Sequence, residues 1–339
     1  MYSSFILPKN LIDRSDPFYK TVTSCSHLDQ FKKEPTVKLA TFSTDGTPEI
    51  GIVIDQGVIP INQIDSSLPK DMSELVNNLD DLKSKIDSIA KNCKNPIAMS
   101  EVTLHAPIQR PGKFLAIGLN YKKHRAEAVD AGIVIPRNQM WFTKQISSIT
   151  GPYGPILKPN TALMFDYEVE LAIVIGKRCK QVSADDASKY IAGFTVGNDL
   201  SMRDWQLHNM PERLELMIGK SFDTHGPLGP WIVTSDEISD PHKLELRCLV
   251  NGEVRQSSNT DDMIWNCYQQ IEYLSQAMTL HPGDIILTGT PPGSGFSPRT
   301  AKGAAGKSRK ASVFLEVGDV VRCEIEGIGH IENKVTADE

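Results

Sequence analysis

Apolar residues recur along most of the chain in short runs broken by Gly, Pro, Asp and Asn. That pattern predicts strands joined by tight turns. Residues 38–62, "KLATFSTDGTPEIGIVIDQGVIPIN", hold β-prone runs separated by "DGTP" and "DQG", a meander of two or three strands. Further candidates are "KFLAIGL", "EVELAIVIG", "AGFTVGNDLS", "GPWIVTSDEI", "LELRCLVNGEVRQS", "DIILTGT" and "DVVRCEIEGIGHIENKV", with "NGE" at 251–253 as a hairpin turn. Leu, Ile, Asp and Lys at helical spacing over 72–92 predict one or two helices. "PERLELMIGKS" and "MIWNCYQQIEYLSQAM" (263–278) predict two more. "LHAPIQRPGK" (104–113) carries two prolines and a glycine and reads as a linker. The expected organisation is an arm over 1–37, a small α+β module over 38–108 and a larger β-dominated domain over 109–337. Strands without regular intervening helices argue against a doubly wound sheet. They predict an α+β, β-dominated fold built on a mixed or antiparallel roll.

One run breaks the alternation. "DYEVELAIVIGK" (166–177) reads as a single strand with Tyr167, Val169, Leu171, Ile173 and Ile175 on one face. Side chains alternate with a period of two, so Asp166, Glu168 and Glu170 share the other face. Stacked carboxylates repel and call for a cation. Either nearby Lys and Arg neutralise a solvated face, or the acids bind a metal. "GFTVGNDLSMRDWQ" (193–206) is a second strand-like run ending in acid and Arg, and its Asp199 offers a third carboxylate. Oxygen ligands without His or Cys suit a hard cation such as Mg²⁺.

Composition narrows the classes. The 339 residues are 40% hydrophobic and 23% charged with a net charge of -6, so no basic excess points to nucleic acid or an anionic membrane. No apolar run approaches the ~18 residues of a membrane span. None of the six cysteines forms a CxxC pair, which argues against a thiolate-zinc site and for a reducing compartment. The opening "MYSSFILPKNLI" reads either as an organelle transit segment, implying a mitochondrial protein, or as an unstructured or packed arm of a cytoplasmic one. Segment 296–312 is rich in Gly, Ser and Lys and reads as a long loop. Its "GKS" at Gly306–Ser308 lacks the glycine a phosphate loop needs five residues earlier, where Ala301 stands.

Three acids around Mg²⁺ leave a formal charge of -1, so an anionic substrate needs cations. Arg203 and Lys220 are candidates, with ordinary surface ion pairs as the alternative. In "IGLNYKKHRAEA" (117–128), His124 and Glu127 share a helical face. Such a pair is either a surface contact or a general base with its orienting carboxylate. "LHPGDIILTGTPPGSG" (280–295) ends a strand in a Gly/Pro loop where Thr290 and the amides could cradle an anion, or simply turn the chain.

Taken together, "GLNYKKHRAE", "DYEVELAIVIGK", "GNDLSMRDWQ…GKSFDTHGPLGP" and "PGDIILTGTPPG" resemble the fumarylacetoacetate hydrolase family, in the family's order. "SMRDWQ" and "VNGEVRQSSNT" resemble its domain-containing protein 2 branch. The resemblance implies a C-terminal β-sandwich roll holding Mg²⁺, or alternatively Ca²⁺ or Mn²⁺, in a homodimer. It implies Glu168, Glu170 and Asp199 as metal ligands, and His124 and Glu127 as a catalytic dyad on a helical lid. Arg203, Gln206, Lys220 and Thr290 match the positions that contact substrate and intermediate. One position departs: the founding hydrolases carry an aspartate seven residues before the dyad His, and here Ile117 stands there. That points away from fumarylacetoacetate and toward a small anionic 2-oxo acid. The implied activity is oxaloacetate keto–enol tautomerisation through a metal-stabilised enolate. Acylpyruvate hydrolysis and oxaloacetate decarboxylation share that enolate and are the alternatives. A non-catalytic metal-binding protein on the same fold is a more distant one.

Overall fold

The computed structural model describes residues 37–130, 132–207, 215–296 and 313–338. Residues 1–36 of the expected arm over 1–37, residues 297–312 of the expected loop over 296–312 with its "GKS", and the start of "PERLELMIGKS" lie outside the described residues. Elsewhere the predicted runs become strands. An 11-stranded sheet runs from Gly57–Pro60 through Glu49–Ile54, Lys38–Ser43, Gly226–Thr234, Ile191–Asn198, Val169–Ile175, Ile285–Leu287 and Phe114–Gly118 to Met140–Thr143, with two short strands off this path. Five further strands, Glu253–Asn259, Glu245–Val250, Val320–Ile325, Gly329–Ala337 and Ile156–Lys158, form a second sheet. Asn251 and Gly252, both at positive φ, make the hairpin turn read from "NGE". The N-terminal meander is continuous with the large sheet, since Lys38 pairs with Val233 and Leu39 with Ile232.

Two large cores flank the centre of the large sheet, and a smaller one lies on its N-terminal strands around Phe42, Val58 and Leu104. Val169, Leu171, Ile173 and Ile175 pack with Leu246, Cys248, Val321 and Cys323 of the smaller sheet and with Ile271 and Leu274 of the helix Cys267–Ala277. Ala172 and Val174, on the opposite face, pack with Leu75, Val76, Leu79 and Ile86 of the helices Met72–Asn77 and Leu79–Asn92. This is the expected β-dominated α+β sandwich, and the period of two along Val169–Ile175 sorts its side chains between the cores.

The expectation of one strand beginning at Asp166 needs correction. Phe165–Asp166 pairs separately with Ser201–Met202, and the strand proper begins at Val169. Side chains take over the backbone donors in between. The Tyr167 N–H donates to Asp166 Oδ1 (2.8 Å), that of Glu168 to Asn198 Oδ1 (3.0 Å) and that of Val169 to Gln256 Oε1 (3.0 Å). Buried amides must be satisfied, and here side chains fix the backbone that carries the acids.

Candidate active site

Antiparallel pairing of Val169–Ile175 with Ile191–Asn198 brings the acids together. Val169 faces Asn198, and the Asp199 N–H donates to the Glu168 carbonyl (2.9 Å). Carboxylate oxygens of Glu168, Glu170 and Asp199 lie within 4.8 Å of one another, and all three residues are buried. Buried carboxylates this close need compensating cations.

Three cations reach the cluster. Lys220 Nζ donates to Glu168 Oε2 (2.6 Å) and Asp199 Oδ2 (2.7 Å). Arg203 donates from Nε to Asp166 Oδ2 (2.9 Å), from Nη1 to Gln206 Oε1 (2.7 Å) and from Nη2 to Glu168. Lys144 Nζ donates to Asp199 Oδ1 (2.7 Å) and to the Lys220 carbonyl. Burial works against the Glu168 carboxylate, but Lys220 and Arg203 overcome it and hold its pKa at about 2. Burial also opposes the Lys220 ammonium, yet Asp199 and Glu168 keep its pKa raised. For Lys144 burial wins and the pKa is lowered.

Glu170 has the opposite fate. Its Oε2 accepts from the Gly289 N–H (2.6 Å), but among the described residues no cation pairs with it. Burial first, then the charges of Asp199 and Glu168, push its pKa well above the carboxylate range. A divalent cation fits this donor set. It would be met by three oxygens from acids that are already close, and it would relieve the acid with which no cation pairs among the described residues.

His124 and Glu127 sit on the helix Lys122–Asp130, with His124 Nδ1 and Glu127 Oε2 3.4 Å apart. Glu127 Oε2 also accepts from the Gly293 N–H (3.4 Å). These two, the three acids, Arg203, Gln206, Lys220 and Thr290 all line one cavity, closed on its apolar side by Ile117, Met140, Phe142 and Leu216. Ile117 therefore presents an apolar wall at the position of the departing aspartate. The Thr290 hydroxyl is already engaged, donating to the Val169 carbonyl (3.0 Å) and accepting from Gln256 Nε2 (2.9 Å).

Sequence reasoning missed three residues. Asp166 received no role from the motifs. It is fully buried, fixes Arg203 and accepts from the Gly295 (2.6 Å) and Phe296 (3.1 Å) amides. Lys144 lies 55 positions from Asp199, and "WFTKQ" offered no sign that its ammonium would be enclosed. In the sequence Gln256 is one residue of a hairpin strand. Its burial and its bonds to Val169, Thr290 and the Pro291 carbonyl come from packing between sheets.

The sequence model described as "Fumarylacetoacetate (FAA) hydrolase C-terminal" matches residues 113–336. A Rattus norvegicus protein named "Oxaloacetate tautomerase Fahd2a, mitochondrial" is 44% identical over 290 residues, 85% of this chain and 87% of that one. A Dictyostelium discoideum protein named "Fumarylacetoacetate hydrolase domain-containing protein 2 homolog" is 40% identical over 313 residues, 88% of this chain and 97% of that one. Among solved structures, maleylpyruvate hydrolase from Sphingobium sp. SYK-6, in complex with manganese(II) and pyruvate, superposes with a TM-score of 0.72 at 28% identity. That likeness covers 89% of this chain and 100% of that one. The shared fold, the order of the motifs and the extent of these matches lead to one conclusion: the chain belongs to the fumarylacetoacetate hydrolase family.

Proposed function

We propose that this protein is a divalent-cation-dependent oxaloacetate keto–enol tautomerase, using Mg²⁺, with Mn²⁺ or Ca²⁺ as substitutes. The observation that carries the reading is the single cavity lined by the acidic triad, the His124–Glu127 pair and the cations Arg203 and Lys220. The name of the Rattus norvegicus relative supplies the substrate and the mitochondrial compartment. A homodimer is the assembly the family resemblance implies.

Glu168, Glu170 and Asp199 would hold the cation, which would supply Lewis-acid stabilisation of negative charge at the 2-oxo group. His124, oriented by Glu127, carries the proton between C3 and that oxygen. Lys220 donates to the developing charge. Arg203 and Gln206 position the anionic end of the substrate. Thr290 offers its backbone, since its hydroxyl is already engaged. The apolar wall at Ile117, Met140 and Phe142 keeps bulk water from the carbon that exchanges its proton.

The test is the decay of the ultraviolet absorbance of enol-oxaloacetate. With Mg²⁺ the protein should accelerate it over buffer. EDTA should abolish the acceleration, and His124→Ala should reduce it about 10²-fold or more. A rate equal to buffer, or one indifferent to EDTA, would overturn the reading. The second reading is acylpyruvate hydrolysis, favoured by the likeness to maleylpyruvate hydrolase and assayed by pyruvate release.

A further inference from the structure

The helix carrying His124 and Glu127 has little to hold it by burial. Its sequence, "KKHRAEAVD", has no apolar stripe: Ala128 is its one buried apolar residue, and Val129 is exposed. A surface helix ordinarily docks through such a stripe. This one docks through polar contacts with a segment more than 130 residues away. Asp262 is 9% exposed, and its Oδ2 accepts from the Lys123 N–H (3.1 Å), one of the first-turn donors with no partner inside the helix. Around it, Arg125 lies over the Trp265 ring (4.9 Å) and Lys122 Nζ reaches the Asp261 carbonyl (3.4 Å). Asn120, fully buried just before the helix, accepts from the Trp265 N–H (3.0 Å) and donates to the Trp265 (3.0 Å) and Thr288 (2.7 Å) carbonyls. The Ile264 N–H donates to the Asn120 carbonyl (2.7 Å).

Asn120 thus fixes where the helix begins. Asp262 fixes the direction in which it leaves, because a carboxylate on a first-turn N–H both satisfies a donor and meets the positive end of the helix dipole. We infer that Asp262 is a positioning residue: by capping the helix from outside, it docks the His124–Glu127 pair against the acidic cluster. The inference rests on the dyad role proposed above. It adds a residue that touches neither substrate nor cation, since Asp262 is absent from the cavity wall.

The experiment compares the full-length protein with Asp262→Ala and Asp262→Asn, with three readouts: amide hydrogen exchange over 122–130, Mn²⁺ affinity by calorimetry, and kcat on enol-oxaloacetate. Asp262→Ala should speed exchange over 122–130 about fivefold, the size expected for a lost cap. It should lower kcat measurably, by up to the same factor, because only the docked fraction is competent. Mn²⁺ affinity should stay within about twofold of wild type, which general destabilisation would not predict. Asp262→Asn keeps an acceptor oxygen and should restore both exchange and kcat. Unchanged exchange over 122–130 in Asp262→Ala would overturn the inference. So would faster exchange without loss of kcat, or an Asn variant as impaired as the Ala one. If the wild type turned over no 2-oxo acid, the tautomerase reading would fail by itself, and the exchange and Mn²⁺ measurements would still decide the docking role.

Discussion

Glu170 is the carboxylate of the cluster left without a cation among the described residues. Lys220 and Arg203 serve Glu168, and Lys220 and Lys144 serve Asp199. Burial and two neighbouring acids hold its pKa well above the usual range, so without metal keeping it ionised costs stability. Glu170→Gln keeps the shape and the acceptor that meets the Gly289 amide while removing the charge. In EDTA this variant should melt at or above the wild-type temperature. With saturating Mg²⁺ the wild type should gain stability by linkage, and the variant should gain much less. Thermal melts in the two conditions check this. A variant that loses stability in EDTA, or keeps the full Mg²⁺ gain, would contradict a ligand role. Period-two spacing placed Asp166, Glu168 and Glu170 on one face and left Asp199 as a further candidate; the family resemblance, not the spacing, singled out the three acids that the fold brings together. The burial of Asp166 and Lys144 was not legible, because enclosure is a tertiary fact: the same Lys on an open strand would be a surface charge.

At the level of elements, strand positions were legible and strand continuity was not. The apolar alternation from Val169 onward located its strand to within a residue. The break at Tyr167–Glu168 escaped notice because it depends on Asn198 and Gln256, side chains from two other strands that take the amides a ladder would have used. Close approach of backbones was equally hidden. Gly193 in Ile191–Asn198 lies so near the Gly226–Thr234 strand that a Cβ there would meet the Val233 carbonyl oxygen at 2.1 Å. Backbone oxygen cannot swing aside, so Gly193→Ala must push the two strands apart. It should cost about 1–3 kcal/mol in urea unfolding, the range for overpacked interiors. An unchanged urea midpoint would show that the sheet gives way more easily than its register implies. The strand runs directly to Asn198 and Asp199, so the same change should also weaken Mg²⁺ binding through the displaced carboxylate.

Across the whole molecule the stability of the fold is tied to pH by histidines kept neutral inside it. His225 is fully buried, donates from Nε2 to the Leu157 carbonyl (2.7 Å) and stacks on Phe165 (4.5 Å) and Phe222 (5.4 Å). Burial pushes its pKa down to about 3, and burial with Arg322 pushes that of His330 down to about 4. An unfolded histidine takes up a proton near pH 6.5. Between that value and about 3, the unfolded chain therefore binds one more proton at His225 than the folded one. The stability this neutral ring contributes is complete above pH 6.5 and is lost as the pH falls toward 3. The raised Glu170 pKa acts in the opposite sense, so the wild-type curve alone does not isolate the effect. The difference between wild type and His225→Phe does, because Glu170 is common to both. At pH 7 the variant should be less stable by about 1–3 kcal/mol, since the Leu157 carbonyl loses its donor. Below pH 6.5 the gap should close by about 1.4 kcal/mol per pH unit, the linkage slope for one proton, and the two curves should cross before the acid limit. Urea unfolding of both proteins at several pH values in EDTA measures that slope. Parallel curves would mean that His225 accepts a proton in the folded state, which its enclosure between two aromatic rings and a carbonyl argues against.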